Sequence, residues 1–438
     1  MEIADKKLNH PKGITPLFLT EMWERMSYYG MRAILVLYLV VSEKKTDEEA
    51  GQIYALYTAF VYLTPVLGGY ITERFFGYKQ AIYLGAFLMM FGHLSLAIPD
   101  STAFYVGLVL LGLGNGFFKP NISTVFGRLY EEKKELKDSG YTIFYMGINL
   151  GGLLGPLFCG LLAESVDWHL GFLAAGIGMG IGVLIFYFGT KDFDKNVWEF
   201  KGTAPLNSSE NLKSIPGFNS SHLDTKRIYL IILLSFFSIF FWMSFEQMGS
   251  SLNLFALRYT DREIFGIEIP ASFLQSVNPL FILLLAPVLS FFWSALSQRN
   301  LNPNPVLKFA IGLFIMGFGF LIMVFASELA ESGTLVSIWF LIAVYFWNTI
   351  SELFLSPVGL SFVSKTAPKG KTSLLMGVWF LCTAFGHYLA GILSGFQRKM
   401  GSLSDFYFLF VISSILAGLL LLGIYYLKRQ DIQKLLRD

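Results

Sequence analysis

Seven ionisable side chains sit inside stretches of this sequence that are otherwise apolar. They are Glu21, Glu24, Arg25 and Arg32 near the start, then Lys119, Glu246 and Glu352. Each costs about 2.5–3.5 kcal/mol at the centre of a membrane helix on insertion scales. Seven such groups facing lipid would be prohibitive, so they must face one another or a wet cavity. Three lie in "EMWERMSYYG", residues 21–30. On a helix, Glu21, Arg25, Tyr28 and Arg32 fall on one stripe, and Glu24 and Tyr29 flank it. Four carboxylates against three bases leave one surplus negative charge, which a low-dielectric cavity neutralises by taking up a proton. That proton belongs to the network, and the sequence leaves open whether Glu21 or Glu24 carries it. A zwitterionic solute could pair with both signs and leave the sum unchanged.

The elements that must hold these groups follow from composition. The chain has 438 residues, 54% hydrophobic and 15% charged. Soluble chains carry roughly a quarter charged residues, so a polytopic all-α integral membrane protein is expected. Twelve runs have the length to cross a bilayer: about 15–40, 51–72, 80–98, 103–126, 140–163, 169–189, 228–257, 271–296, 306–327, 333–361, 373–397 and 404–427. Residues 190–227 are polar and rich in Ser, Asn, Gly and Pro, and read as a linker. The expected division is 1–189, a six-helix half; 190–227, a cytoplasmic linker; and 228–438, a second six-helix half. That is the plan of the major facilitator superfamily, in which the substrate site lies between the halves. Basic residues crowd the loops on the side of the N-terminus, which puts both termini in the cytoplasm of a plasma (inner) membrane.

Other classes fit poorly. A net charge of +2 gives nucleic acid no footprint. A channel would show repeated pore rings, and the charges here are scattered. The histidines (His10, His93, His169, His222, His387) form no metal-spaced cluster and pair with no serine, so neither an enzyme nor a metal site is expected. No cofactor is expected beyond protons, which the surplus carboxylate would take up as a coupling ion. The expected partners are solute, protons and the lipid bilayer, with the chain a monomer.

Polar and aromatic groups accompany the charges. Asn149 lies in "FYMGINLGG", whose glycines permit close backbone approach. Asn278 precedes Pro279, which loosens a helix and frees backbone groups. Tyr62, Trp242, Trp379 and His387 lie inside spans. Glu73 and Arg74 end the second span, as a solvated turn or as a latch.

These residues carry a resemblance. "EMWERMSYYG" is similar to the E-x-x-E-R signature of the proton-dependent oligopeptide transporter (POT/PTR) family. "YLTPVLGG", "GNGFFKPNIS", "FYMGINLGG", "FWMSFEQMGSSL", "QSVNPLFI", "SELFLSPVGLS" and "MGVWFLCTAFGHYLAG" continue it in order. The resemblance implies a proton-coupled symporter that imports di- and tripeptides by alternating access. It implies that Glu21, Glu24 and Arg25 couple protons and that Arg25, Tyr29 and Lys119 hold the peptide carboxylate. Asn149, Asn278 and Glu352 would hold its amino group. Tyr28, Tyr62, Trp242, Trp379 and His387 would line the pocket. Arg32 with Glu246, and Glu73 with Arg74, would serve as gates, and Lys119 with Glu352 would form a second pair between the halves. The alternative is a carrier of another zwitterion or acid: a peptide-like siderophore, an amino acid derivative or nitrate. The chain departs from the family pattern at Met26, at Thr72-Glu73, and at His387, where many relatives have Asn.

Overall fold

The computed structural model describes residues 9–75, 77–198, 222–368 and 371–437. The helices before the linker are α1 (Ile14–Val41), α2 (Asp47–Phe75), α3 (Tyr78–Leu96), α4 (Ser101–Arg128), α5 (Lys137–Ser165) and α6 (Trp168–Gly189), followed by one helical turn, α7 (Lys195–Trp198). After the linker come α8 (His222–Phe245), α9 (Ser251–Tyr259), α10 (Val277–Gln298), α11 (Pro305–Glu331), α12 (Ile338–Thr366), α13 (Thr372–Ser394), α14 (Leu403–Leu427) and α15 (Arg429–Arg437). A 3-10 turn, Glu246–Gly249, joins α8 and α9 into one broken span. Counted that way, twelve long stretches stand among the described residues where the sequence predicts twelve. Ten are long and apolar enough to cross a membrane. The other two, α1 with its charges and α3, have the length. Exposed Phe87, Phe91, Leu284, Phe291, Leu416 and Leu419 give the helices oily outer faces, as lipid requires of spans whose backbone is satisfied internally.

Helix starts follow local chemistry. Thr46 and Glu49 form a reciprocal capping box at α2, with bonds of 2.8 and 3.2 Å. Asp100, Asn304 and Ser402 accept the amides of Ala103, Leu307 and Asp405, which removes one orphan donor from each helix.

The chain divides into two compact units. One gathers the described residues of Met1–Ile34 and Thr64–Lys201; the other gathers those of Leu35–Leu63 and Gly202–Asp438. The division therefore falls inside α1 and α2 as well as in the linker. Residues 199–221, the middle of that linker, lie outside the described residues. Its first residues are docked on the first unit. Arg128 reaches the carbonyls of Asn196 and Val197, and Trp198 stacks on Phe193 at 5.6 Å.

In the first unit, glycine sets how closely helices approach. A Cβ on Gly151 would lie 2.3 Å from the Met22 carbonyl and 2.8 Å from the Arg25 Cβ. The "GINLGG" stretch of α5 thus lies directly against the charged turn of α1.

In the second unit, the N-terminal segment of α2 packs on α13. A Cβ on Gly391 would lie 2.5 Å from the Ala55 backbone, and one on Gly51 would lie 2.5 Å from the Gly391 carbonyl. Arg258, at the end of α9, holds Asp47 with two bonds of 2.6 and 2.7 Å, and Lys399 pairs with Glu48. After α9, two short strand pairs form. Thr260–Asp261 runs parallel to Val336–Ser337, and Glu263–Ile264 pairs antiparallel with Ile267–Glu268. The hairpin turn between the second pair has Phe265 and Gly266 at φ 53° and 79°, the pattern of a two-residue primed turn.

The α2–α13 contact gives the first prediction. Gly391→Val must push the two helix backbones away from each other and should cost about 1–3 kcal/mol, the usual penalty of overpacking. Thermal unfolding in detergent should show a lowered Tm. An unchanged Tm would mean that the two helices do not meet there.

Candidate functional site

The centre of the first unit is the guanidinium of Arg25. Arg25, Glu24 and Glu21 are 2%, 0% and 1% exposed. Burying such ions is costly unless their geometry compensates, and here the compensation is a fork. Arg25 Nε donates to Glu24 Oε2, and Nη2 donates to Glu24 Oε1 at 2.5 Å. Nη2 also donates to Asn115 Oδ1 at 3.3 Å. Glu21 Oε1 lies 3.4 Å from Arg25 Nε. Glu21 Oε2 is buried and has no hydrogen-bond partner among the described residues. The two carboxylates therefore differ: Glu24 has both oxygens on the fork, whereas one oxygen of Glu21 accepts no hydrogen bond among the described residues.

Aromatic faces cover the cation. The Arg25 guanidinium carbon lies 5.1 Å from the Tyr28 ring centre and 5.9 Å from that of Tyr29, and Arg32 approaches Tyr29 at 6.0 Å. Lys119 on α4 lies within electrostatic range of Glu21, Glu24 and Arg25. Asn149 is on α5, with its Nδ2 on the Tyr145 carbonyl at 2.9 Å. Glu73 and Arg74 are exposed at the end of α2, and Arg74 Nη1 donates to Tyr70 at 2.8 Å.

The second unit brings together Asn278 and Glu352. Asn278 Nδ2 lies 3.0 Å from both Glu352 Oε2 and Thr349 Oγ1. Here the structure refines the sequence reading. Pro279 lies in the first turn of α10, where its missing N–H costs nothing. The broken backbone is instead at Glu246–Gly249, a stretch without proline. The Met248 carbonyl that this 3-10 turn frees accepts from Gln275 and, at 3.3 Å, from Tyr345.

Glu246 sits at that break, 1% exposed. Its Oε2 accepts from Tyr54 at 3.1 Å, and its Oε1 lies 3.1 Å from His387 Nε2. The His387 ring lies 4.1 Å from the ring of Tyr62 and 5.1 Å from that of Trp242. His387, which the sequence shows as a lone histidine in a span, has an acidic partner. Trp379 packs on Phe309 and against Gly359.

Sequence reasoning missed Asn115, Tyr54 and Thr349. Asn115 had a signal, a carboxamide between two glycines in "GNGFFKP"; Tyr54 and Thr349 had none.

Among the described residues, twelve long helical stretches with buried ions inside them match a multi-pass membrane transporter of the major facilitator fold. The chain belongs to the POT family, whose sequence profile (PTR2) matches residues 79–205 and 206–407. It is 34% identical to the peptide transporter YePEPT of Yersinia enterocolitica over 88% of each chain. It is 32% identical to a di-/tripeptide transporter of Lactococcus lactis, over 85% of this chain and 86% of that one. A crystal structure of a POT family transporter in complex with a thioalcohol-conjugated peptide superposes with a TM-score of 0.86, at 29% identity, over 96% of this chain and 97% of that one.

The fork gives a second prediction. Arg25→Ala strands two buried carboxylates and should cost about 3–5 kcal/mol, whereas Asn115→Ala, which removes one hydrogen bond, should cost about 1 kcal/mol. The ordering of the two Tm values in detergent tests this. Equal values would show that the guanidinium does not compensate the acids.

Proposed function

We propose that this protein is a proton-coupled symporter that imports di- and tripeptides by alternating access. It would work as a monomer in the plasma (inner) membrane, with both termini in the cytoplasm. The observation that carries the reading is the split of roles inside the α1 cluster: one carboxylate locked on Arg25, and another with an oxygen free for a proton. The relatives named as peptide and di-/tripeptide transporters support it.

In this reading Arg25, Tyr29 and Lys119 hold the peptide carboxylate, and Asn149, Asn278 and Glu352 hold its ammonium. Opposite charges at the two ends of the site select a zwitterion over a neutral amide. Tyr28, Tyr62, Trp242 and Trp379 shape the pocket. Arg32 and Glu246 pair as the outer gate, Lys119 and Glu352 pair when the site is empty, and Glu73 with Arg74 latches the cytoplasmic helix ends. A six-helix half of 1–189 and another of 228–438 would move about this site. Glu21 takes the coupling proton. Protonation removes its pull on Arg25 without opening the Glu24 fork, and so frees the guanidinium for the substrate carboxylate.

Proteoliposomes with an inward proton gradient should accumulate labelled dialanine. No uptake of dialanine, with uptake of a different zwitterion or acid, would overturn the peptide reading. Glu21→Gln should lose gradient-driven accumulation yet keep peptide counterflow, whereas Glu24→Gln, which breaks the fork, should lose both. Glu352→Gln should weaken dipeptide binding by about tenfold or more, the worth of a charge-assisted hydrogen bond of about 1.5–3 kcal/mol. An N-acetylated dipeptide should feel little of that change. Equal losses for the two ligands would place the ammonium site elsewhere.

A further inference from the structure

We propose that the second unit carries a binding site for the phosphate headgroup of an anionic phospholipid, built from the start of α8, the end of α14 and the short helix α15. The site does not depend on the coupling reading. It requires only that α8 and α14 cross the membrane with these ends on the cytoplasmic side, as proposed above.

The chain concentrates bases at these helix ends. "TKRIYL" lies in the first turns of α8, and "YYLKRQDIQKLLR" runs from α14 into α15. Among the described side chains there, Lys226, Arg227, Lys428, Arg429 and Lys434 stand against Asp224 and Asp431. Five bases against two acids leave a surplus of three positive charges. Folding brings the two stretches together. Lys226 Nζ lies 2.8 Å from Asp431 Oδ1, and α15 packs on both α8 and α14. The Ile432 amide donates to the Lys428 carbonyl at 2.9 Å, so Lys428 sits at the corner where α14 turns into α15. A cluster of bases directly cytoplasmic of a membrane helix attracts anionic lipid.

Burial decides how this surface binds. An amphipathic helix at a membrane usually sinks its apolar face among the headgroups. On α15 that face is already taken, because Ile432 and Leu435 are buried. What the corner offers outward is charge: Lys428, Arg429 and Lys434 are exposed. Binding therefore goes through charge and not through insertion. The neighbouring residues set the depth. Tyr229, Tyr426 and Leu427 are exposed, a mix that belongs at the boundary between hydrocarbon and headgroups. Lys226, Arg227, Lys428 and Arg429 lie within three residues of them along the chain, at the level of the lipid phosphates. A soluble acidic partner would gain nothing from that oily rim, whereas a phospholipid fits both parts.

Arg227 adds an independent sign. It is half-buried, and its Nε is buried with no hydrogen-bond partner among the described residues. An unmet donor is costly, and phosphate oxygens match a guanidinium fork. The Lys226–Asp431 pair has both side chains open to water, and holds α15 only weakly. A headgroup held by Arg227 and the α15 bases ties the same corner together.

Native mass spectrometry of the full-length protein tests this. The protein is delipidated in detergent and given equal amounts of dioleoyl phosphatidylglycerol and dioleoyl phosphatidylcholine. The wild type should retain the anionic lipid over the zwitterionic one by about tenfold or more, since each base contributes about fivefold. The triple variant Lys428→Gln, Arg429→Gln, Lys434→Gln should bring the two lipids within about twofold of each other. Removing the same charge from the first unit, with Lys134→Gln, Lys137→Gln and Lys191→Gln, should leave the wild-type ratio. If the first triple variant does not fold, Lys428→Gln alone takes its place, with an expected loss of about fivefold. Equal retention of both lipids by the wild type, or an equal loss in the two triple variants, overturns the inference. Displacement of phosphatidylglycerol by excess inorganic phosphate at fixed ionic strength would assign the bases to a free anion, and overturns it too. The readout contains no transport step, so a failure of dialanine uptake sinks the symport reading and leaves the lipid site standing.

Discussion

A guanidinium that cannot lose its proton is held where water cannot reach it, and the first unit is built around that constraint. Arg25 is 2% exposed. Desolvating it costs several kcal/mol, which only close, well-directed carboxylate contacts offset. Such contacts require that α1 not slide or rotate against its neighbours. The glycines of α5 serve that end: a Cβ on Gly151 or Gly155 would meet α1 backbone within about 2.5 Å, so the helices interlock at van der Waals distance. Asn115 on α4 contributes a further acceptor. The Glu24 fork is thus a fixed element of the site. Beside it stand Glu21, one of whose oxygens accepts no hydrogen bond among the described residues, and Lys119, half-buried on α4. In the reading proposed above, the fork keeps the fold while Glu21 changes its proton count.

The second unit solves a different problem by breaking a helix. Between Phe245 and Ser251 the span tightens into a 3-10 turn, and backbone groups lose their usual partners. Gln275 and Tyr345, from two other elements, take up the Met248 carbonyl. Gln247 turns its amide to the carbonyls of Met243 and Ala390, at 3.1 Å each. The break is therefore offset by side chains of its own unit, and it leaves Glu246 at a corner that reaches both α2 and α13. Asn278 and Glu352 lie near the start of α10 and in mid-α12.

What the sequence revealed follows from what each interaction costs. Charges in apolar runs are expensive in any fold, so Glu21, Glu24, Arg25, Lys119, Glu246 and Glu352 stood out before any contact was known. The i,i+4 rule correctly put Glu21 beside Arg25. It ranked Glu24 as a flank, yet Glu24 holds the fork, because a long arginine side chain can fold back on its sequence neighbour. Uncharged polar groups carry no such signal. Asn115, Tyr54 and Thr349 look like ordinary packing residues until the tertiary fold supplies their partners. The helix break was hidden for a related reason. "FWMSFEQMGSSL" has no proline, and the acceptors and donors that stabilise its 3-10 turn come from distant stretches of chain.

Histidine marks the limit of the one-dimensional reading most clearly. In "AFGHYLAG", His387 has no charged neighbour, and an isolated imidazole in a span reads as a hydrogen-bonded packing group. Folding adds a carbonyl on one ring nitrogen and a carboxylate beside the other. Neither partner is adjacent to His387 in the sequence: Thr383 lies one helical turn earlier on α13, and Glu246 lies at the break between α8 and α9. The polar role of the ring is therefore set by contacts of the folded chain that a one-dimensional reading cannot supply.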